Sequence, residues 1–480
     1  MVFSSSFFMF VFLPICLILV GVLHKKLHNS VLLVASIFFY GWGSVSHTFI
    51  LIASIFLNYL FGLLIGKYDG QKSKFILMIS IVTNLGVLGY FKYYNFFMDN
   101  INSSLDIFGV DTYKYAQVVL PIGISFFTFQ AMSYVIDVYR KKTPVQKNIF
   151  DLALYVSLFP QLIAGPIVRY FDVAEQLKNR VISIEKASIG IQRFIFGFSK
   201  KVIIANSMAM VADNIFNLPV EEISSGVSWL GIVAYSLQIY FDFSGYSDMA
   251  IGLGKVFGFD FPENFNFPYI SKSIKEFWRR WHISLSSWFR DYLYIPLGGN
   301  RKGAARTLIN LMIVFLATGI WHGASWNFVI WGLFHGCLLL LERKGLDKVL
   351  GKLGNPIQIS YTLLLVMIGW VFFRVENLGD ALTYIGRMSF IYESDSVKVY
   401  LAEYLDYKTA LVLILGVFYS FRGFRFLMEM FQNILVLKGK ANQYQFIYYS
   451  TKLLVSLGLM FISILYLSAS TYNPFIYFRF

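Results

Sequence analysis

Apolar runs close to the roughly 20 residues that a helix needs to cross a hydrocarbon core recur from one end of this chain to the other. They lie near 5–23, 30–45, 48–66, 75–97, 115–138, 189–210, 227–250, 306–322, 326–341, 357–375, 408–424 and 447–468, giving about twelve crossings. No soluble domain of ordinary size fits between them. Only 14% of the 480 residues are charged, against about 25% in soluble domains. The reading is an all-α polytopic membrane protein of 11–13 transmembrane or re-entrant helices, forming one integral domain over 1–480.

Charge in the connectors sets the topology, because Lys and Arg concentrate in cytoplasmic loops. "HKKLHN", "KYDGQKSK", "RKKTPVQK", the 259–305 interval, "ERKGLDK" and the 421–442 interval are basic; "MDNINSSLDIFGVD", "ADNIFNLPVEEISSG" and 376–407 are acidic or poor in basic residues. The two kinds alternate as the crossings require, which places both termini outside. The net charge of +14 is thereby assigned to cytoplasmic loops and a lipid surface, and no nucleic-acid partner is expected. Cys16 and Cys337, the two cysteines, both sit in apolar segments and offer neither a disulfide framework nor a metal site. The run from Phe7 to Leu23 lacks a basic leading region and reads as a retained helix.

Two segments interrupt the helical pattern. Residues 149–168, "IFDLALYVSLFPQLIAGPIV", carry Pro160 and Gly165-Pro166, and "VVLPIGISFFTFQAMSYVID" carries Pro121 and Gly123. Irregular backbone at membrane depth is tolerated only where protein buries it or water lines it, so the first points to an internal cavity, with a merely kinked span as the alternative.

Of six histidines, His24, His28 and His47 fall in short connectors. His322, in "TGIWHGASWNF", ends an apolar segment that begins near 306, about 24 Å away at 1.5 Å per residue. Ionisable groups at such depth usually face a bundle interior or a wet cavity, and imidazole suits acid–base work near neutral pH. A histidine bonded across a helix interface is the structural alternative. Gly319 with Gly323, and Gly332 with Gly336, allow close backbone approach nearby, while Trp321, Trp326 and Trp331 supply bulk to shape a pocket. His335 reads as structural.

In "KEFWRRWHISLSSWFRDYLYIPLGGNRKG", Phe277, Trp281, Leu285 and Trp288 recur at helical spacing, predicting a helix over 274–296 at the cytoplasmic interface. Arg279, Arg280 and Arg290 would meet anionic headgroups or a phosphorylated ligand, and His282 points inward with Trp278 and Leu285. Asp242 and Asp248, in "QIYFDFSGYSDMAIGLG", need partners; a histidine or arginine of the 275–341 segments is the expected one, in structural ion pairs or in contact with the site. No phosphate-binding glycine loop, zinc-protease helix or nucleophile elbow is found.

"FWRRWHISLSSWFRDYLYIPLGGNR" followed by "GIWHGASWNFVIWGLFHG" resembles the membrane-bound O-acyltransferase (MBOAT) family, and within it the bacterial alginate O-acetyltransferase branch. "PIGISFFTFQAMSYVIDVYR", "FPQLIAGPIVRY" and "YFDFSGYSDMAIGLGKVFGFDFPENFNFPY" are similar to that branch too, so the resemblance spans about 30–375. It implies helices around a central funnel, with a catalytic core over 140–375 between N-terminal helices (1–139) and C-terminal helices (376–480). It implies His322 as catalytic centre, as general base or as nucleophile, with the base favoured, and His282 as its companion. Arg279, Arg280 and Arg290 become candidate contacts for the donor, with Asp242, Asp248, Trp321 and Trp326 in support.

The donor would be acetyl-CoA or another acyl thioester, with no metal or permanently bound cofactor. The expected setting is the bacterial cytoplasmic membrane. Expected partners are a secreted or membrane-anchored serine-esterase-like acetyltransferase and polysaccharide synthesis machinery. Alginate, acetylated cellulose, another exopolysaccharide and peptidoglycan stay open as acceptors. D-alanyl transfer toward teichoic acid, and a non-enzymatic transporter, are the competing readings.

Overall fold

The computed structural model describes residues 1–389, 399–437, 441–469 and 472–476. They form α-helices at Leu13–Val22 (α1), His28–Gly41 (α2), Val45–Lys67 (α3), Gly70–Ile107 (α4), Ile124–Tyr139 (α5), Ile149–Ser157 (α6), Phe159–Leu162 (α7), Tyr170–Asn179 (α8), Ile184–Ser199 (α9), Asn206–Phe216 (α10) and Ser225–Val256 (α11). Beyond these come Ile274–Arg280 (α12), Ile283–Phe289 (α13), Gly303–His322 (α14), Trp326–Leu341 (α15), Asp347–Leu350 (α16), Asn355–Arg374 (α17), Leu378–Met388 (α18), Tyr407–Ser420 (α19), Gly423–Leu437 (α20) and Ala441–Ala469 (α21). Among the described residues the only extended pairing is an isolated bridge between Ile223 and Val399.

The middle of the molecule is α11, buried along nearly its whole length. It packs against α9 through four glycines spaced by seven: a Cβ on Gly197 would lie 2.6 Å from the Gly245 carbonyl oxygen, and one on Gly252 would lie 2.5 Å from that of Gly190. Backbones in direct contact need small residues on both faces, and here only glycine fits. A π-helical turn at Lys200–Ala205 joins α9 to α10, so the predicted span 189–210 is the interior of a longer helical run, Ile184–Phe216.

Among the described residues, six helices are long and apolar enough to cross a membrane unaided: Val45–Lys67, Gly70–Ile107, Ile184–Phe216, Gly303–His322, Asn355–Arg374 and Ile447–Ala469. The predicted 408–424 span becomes α19 and α20, bent by 62° at a break where Arg422 adopts a left-handed conformation. Other predicted spans are shorter or more polar helices, such as α2, α5, α11 and α15, that bury much of their surface in protein. Ser4 and Asn473 hydrogen-bond through their side chains at 3.0 Å, which brings the beginning of the chain against the 472–476 stretch.

Three expectations are corrected. The span 115–138 becomes helical only at Ile124, because Gly123 sits at φ 76° with Leu162 and Ile163 against it, where a Cβ would come within 2.8 Å of the Leu162 carbonyl oxygen. The single interfacial helix over 274–296 is three pieces, α12, α13 and a π turn at Arg290–Tyr294, interrupted at His282 in a left-handed conformation (φ 44°). Nor does it float at the surface: Phe277, Trp281, Leu285 and Trp288 are all buried, with α15 and α17 covering α12 and Trp288 of α13 stacked on Phe129 of α5 at 3.7 Å. Third, the carboxylate partners come from elsewhere. Asp242 pairs with Lys201 at 2.8 Å, and Asp248 with Arg193 (2.8 Å) and Lys200 (2.6 Å), all from the 184–205 run that the glycine contacts press against α11.

Candidate active site

His322 is the last residue of α14 and is almost fully buried. The final carbonyls of a helix have no intrahelical donor and need outside partners. Two successive residues of α4 supply them. Tyr93 donates its hydroxyl to the Ile320 carbonyl, and the Lys92 ammonium donates to the carbonyls of Trp321 (2.5 Å) and His322 (3.0 Å).

The chain then turns through 323–325 into α15. The hairpin closes because Gly319 and Gly332 meet backbone to backbone: a Cβ on Gly319 would fall 2.3 Å from the Phe328 carbonyl oxygen. Of the four glycines read in the sequence, Gly319 and Gly332 make this backbone contact, whereas Gly323 packs against the Phe328 ring and Gly336 against the Met312 side chain.

Aromatic rings enclose the imidazole. Trp321, Trp331 and Phe373 lie 5.0, 5.1 and 5.1 Å from it, centroid to centroid, mostly edge to face. Its Nδ1 is buried and has no hydrogen-bond partner among the described residues.

His282 stands on the other side of Trp321, at 6.0 Å from that ring, and against Phe243 at 4.7 Å. Its Nδ1 lies 3.1 Å from Asn264 Oδ1, an oxygen that also accepts from the Ser284 backbone N–H and hydroxyl. An oxygen already receiving two donors accepts from the imidazole too, which makes Nδ1 the protonated nitrogen and leaves the Nε2 lone pair unpaired in the interior. The left-handed break before α13 is what aims this ring into the core.

The segment 149–168 is broken, as its prolines and glycine predict. After α6 and the single turn α7 the backbone leaves helical geometry, yet Leu154–Val168 is buried throughout. Side chains satisfy it: Phe159 N–H donates to Ser36 Oγ, Ile167 N–H to Ser284 Oγ, and the Val168 carbonyl accepts from Tyr155. Ile163 of this stretch, with Pro121, Gly123, Trp321 and His322, lines a narrow cavity of about 20 Å³, room for about one water. Beside it a vestibule of about 430 Å³ is lined by Asn95, Asp99, Gln238, Ser325, Phe328, Phe373, Arg374 and the Pro474–Ile476 stretch, among others. Lys92 and Leu120 line both spaces.

The remaining candidates are less concentrated than expected. Arg280 is tied to Glu276 at 2.8 Å, and Arg290 to Asp291 at 2.8 Å, while Arg279 is exposed. Asp291 lies outside the spans; partial burial acts to raise its pKa, but Arg290 and Arg169 outweigh that and hold it below the usual carboxylate range. Asp242 is held by Lys201 and by the backbone N–H of Ile476. Trp326 is 60% exposed and donates to Asn100 rather than walling the histidine. His335 packs between Trp278 (5.1 Å) and Trp331 (4.9 Å), a structural placement.

Sequence reasoning passed over Lys92 and Asn264. A lysine within "GYFKYYNFF" was the available signal for the first; nothing local marks the second.

With this geometry in hand, a model described as the membrane-bound O-acyltransferase family matches residues 144–345. Along its whole length the chain is 44% identical to the "Probable alginate O-acetylase AlgI" of Pseudomonas putida, all of which is covered. It is 34% identical to the peptidoglycan O-acetyltransferase of Helicobacter pylori over 100% of this chain and 98% of that one. Identity to the teichoic acid D-alanyltransferase of Bacillus subtilis is 33%, but over 45% of this chain and 58% of that protein. Similarity of this extent, on a bundle of membrane-length apolar helices, shows that the chain belongs to the membrane-bound O-acyltransferase family and is a multi-pass membrane O-acyltransferase.

Proposed function

We propose that this protein takes an acetyl group from a thioester donor on the cytoplasmic side and delivers it across the bilayer for O-acetylation of an extracytoplasmic polysaccharide, with His322 as the catalytic centre. The observation that carries this is the placement of His322: a buried imidazole on a narrow internal cavity, one side-chain layer from a larger vestibule with polar and aromatic walls. As general base, the imidazole takes the proton of the acceptor hydroxyl while that oxygen attacks the thioester carbonyl carbon. Collapse of the tetrahedral intermediate breaks the C–S bond, and the imidazolium proton passes to the departing sulfur.

His282, with Nδ1 committed to Asn264, orients the donor or assists. The aromatic enclosure keeps water from competing for the acyl group. The acceptor is a hydroxyl of the polysaccharide itself or of a secreted or membrane-anchored serine-esterase-like partner that completes the transfer. The relatives similar along the whole chain are named for alginate and peptidoglycan, which favours a glycan over teichoic acid as the final acceptor.

The purified full-length protein in liposomes, given acetyl-CoA labelled in the acetyl group, tests this. Thioester cleavage with label on an acceptor or released as acetate supports the enzyme; label carried across with no bond broken supports a transporter instead.

Arg279, Arg280 and Arg290 are proposed to hold the donor's phosphates from the cytoplasmic edge. Replacing all three with glutamine is then expected to raise the donor KM by about tenfold, roughly 1.4 kcal/mol of lost binding, with kcat little changed. An unaltered dependence on donor concentration removes them from donor binding.

A further inference from the structure

We infer that Lys92 is a positioning residue for His322, an inference that rests on the proposed role of His322. Lys92 lies well inside the 38-residue α4 and is buried, yet no carboxylate is within ion-pairing distance of it among the described residues. Desolvating an ammonium without a counter-charge is costly, so its retention at this depth calls for a specific return.

Its contacts show where that return is. The ammonium donates to the carbonyls of Trp321 and His322, lies 3.5 Å from Ser125 Oγ, and sits 5.7 Å from the Trp321 ring. Both carbonyls belong to the buried negative end of α14, where a cation is favoured by the helix dipole as well as by carbonyls that have no intrahelical donor. A hydroxyl or amide could satisfy one such carbonyl at lower cost; an ammonium has three donors and reaches two at once.

The clamp acts on the residue whose side chain does the chemistry. Gly323, immediately after, is extended, with its N–H bonded to the Gly319 carbonyl and the Phe328 ring packed against it, so the turn is closed from that side while the His322 carbonyl itself is held by Lys92. Tyr93 alone holds only Ile320. Lys92 also lines both the narrow cavity and the vestibule, so its side chain fixes the wall between them beside the imidazole.

The experiment compares Lys92→Met, Lys92→Arg, Tyr93→Phe and His322→Ala with the natural protein, all full-length in proteoliposomes, with acetyl-CoA as donor. Amounts of folded protein are matched by size-exclusion chromatography. Lys92→Met is expected to lose about 100-fold in kcat with donor KM within about twofold, the signature of a misplaced catalytic group. Lys92→Arg, which keeps a cation and several donors, is expected to recover most of that loss, and Tyr93→Phe to remain within a few-fold of the natural rate.

Loss of activity in Lys92→Met merely in proportion to lost folded protein overturns the inference. So does a loss that Lys92→Arg leaves unrepaired. If Lys92→Met yields no folded protein, Lys92→Gln is measured in its place; failure of both to fold assigns Lys92 to fold stability and overturns the positioning role. An active His322→Ala sinks the catalytic reading itself, whereas an inactive His322→Ala beside a fully active Lys92→Met sinks only the inference about Lys92.

Discussion

His322→Ala is expected to leave folded protein in the membrane and to lower acetyl transfer by about 10²–10⁴-fold, the contribution of a positioned general base. The fold should survive because the features that hold this helix end do not use the imidazole. Lys92 and Tyr93 bind the backbone carbonyls of residues 320–322, and the hairpin closes through Gly319 and Gly332. What the substitution removes is a ring packed among Trp321, Trp331 and Phe373, so some local loosening is expected as well. His322→Gln, closer in volume, separates the two effects: it should restore packing and not turnover. Near-normal transfer by folded His322→Ala would show that the reaction is centred elsewhere.

Asp242→Asn is expected to produce the largest loss of stability of any single isosteric change. Asp242 and Lys201 are both buried, with side-chain exposures of 2% and 3%, and their charges lie 2.8 Å apart. Removing one partner of such a pair costs about 3–5 kcal/mol, because the other is left uncompensated in the interior.

The same carboxylate accepts the Ile476 N–H at 2.7 Å, and Lys201 also donates to the Pro474 carbonyl, so the pair anchors the C-terminal stretch that walls the vestibule. Thermal unfolding in detergent should show a markedly lower midpoint for Asp242→Asn. Adding Lys201→Met should recover much of the loss, since the double variant buries no lone charge. A single variant that melts like the natural protein would show that the pair contributes little. The Asp248 cluster, where Arg193 and the half-exposed Glu263 meet water, should lose less on the same change.

Some of this was open to reading in one dimension. Spans such as Val45–Lys67 and Asn355–Arg374 are legible because a helix in lipid must be apolar all round for about 20 residues, a demand each segment meets by itself. The break at 149–168 is legible because proline and glycine act locally. Gly319 and Gly332 could be picked out for the same reason: absence of a side chain is a property of the residue, whatever it packs against.

Partnerships were a different matter. Asp242 needed a cation, but which of 41 lysines and arginines would meet it depended on how α9 crosses α11. That crossing is set by Gly190, Gly197, Gly245 and Gly252 acting together. The helical spacing over 275–296 was real, yet the chain breaks at His282, because Asn264, 18 residues earlier, captures the ring and the Ser284 backbone once the segment is folded into the core.

The sequence by itself therefore determined that this chain lives in a membrane, that the 149–168 segment is broken, and, through resemblance, which family's chemistry to expect of His322. Only the tertiary structure decided that Lys92 holds the end of α14, that Asn264 sets the His282 proton, and that Asp242 faces Lys201. Hydropathy and backbone freedom belong to residues one at a time, whereas a hydrogen bond or an ion pair exists only between groups that packing has brought within about 3 Å.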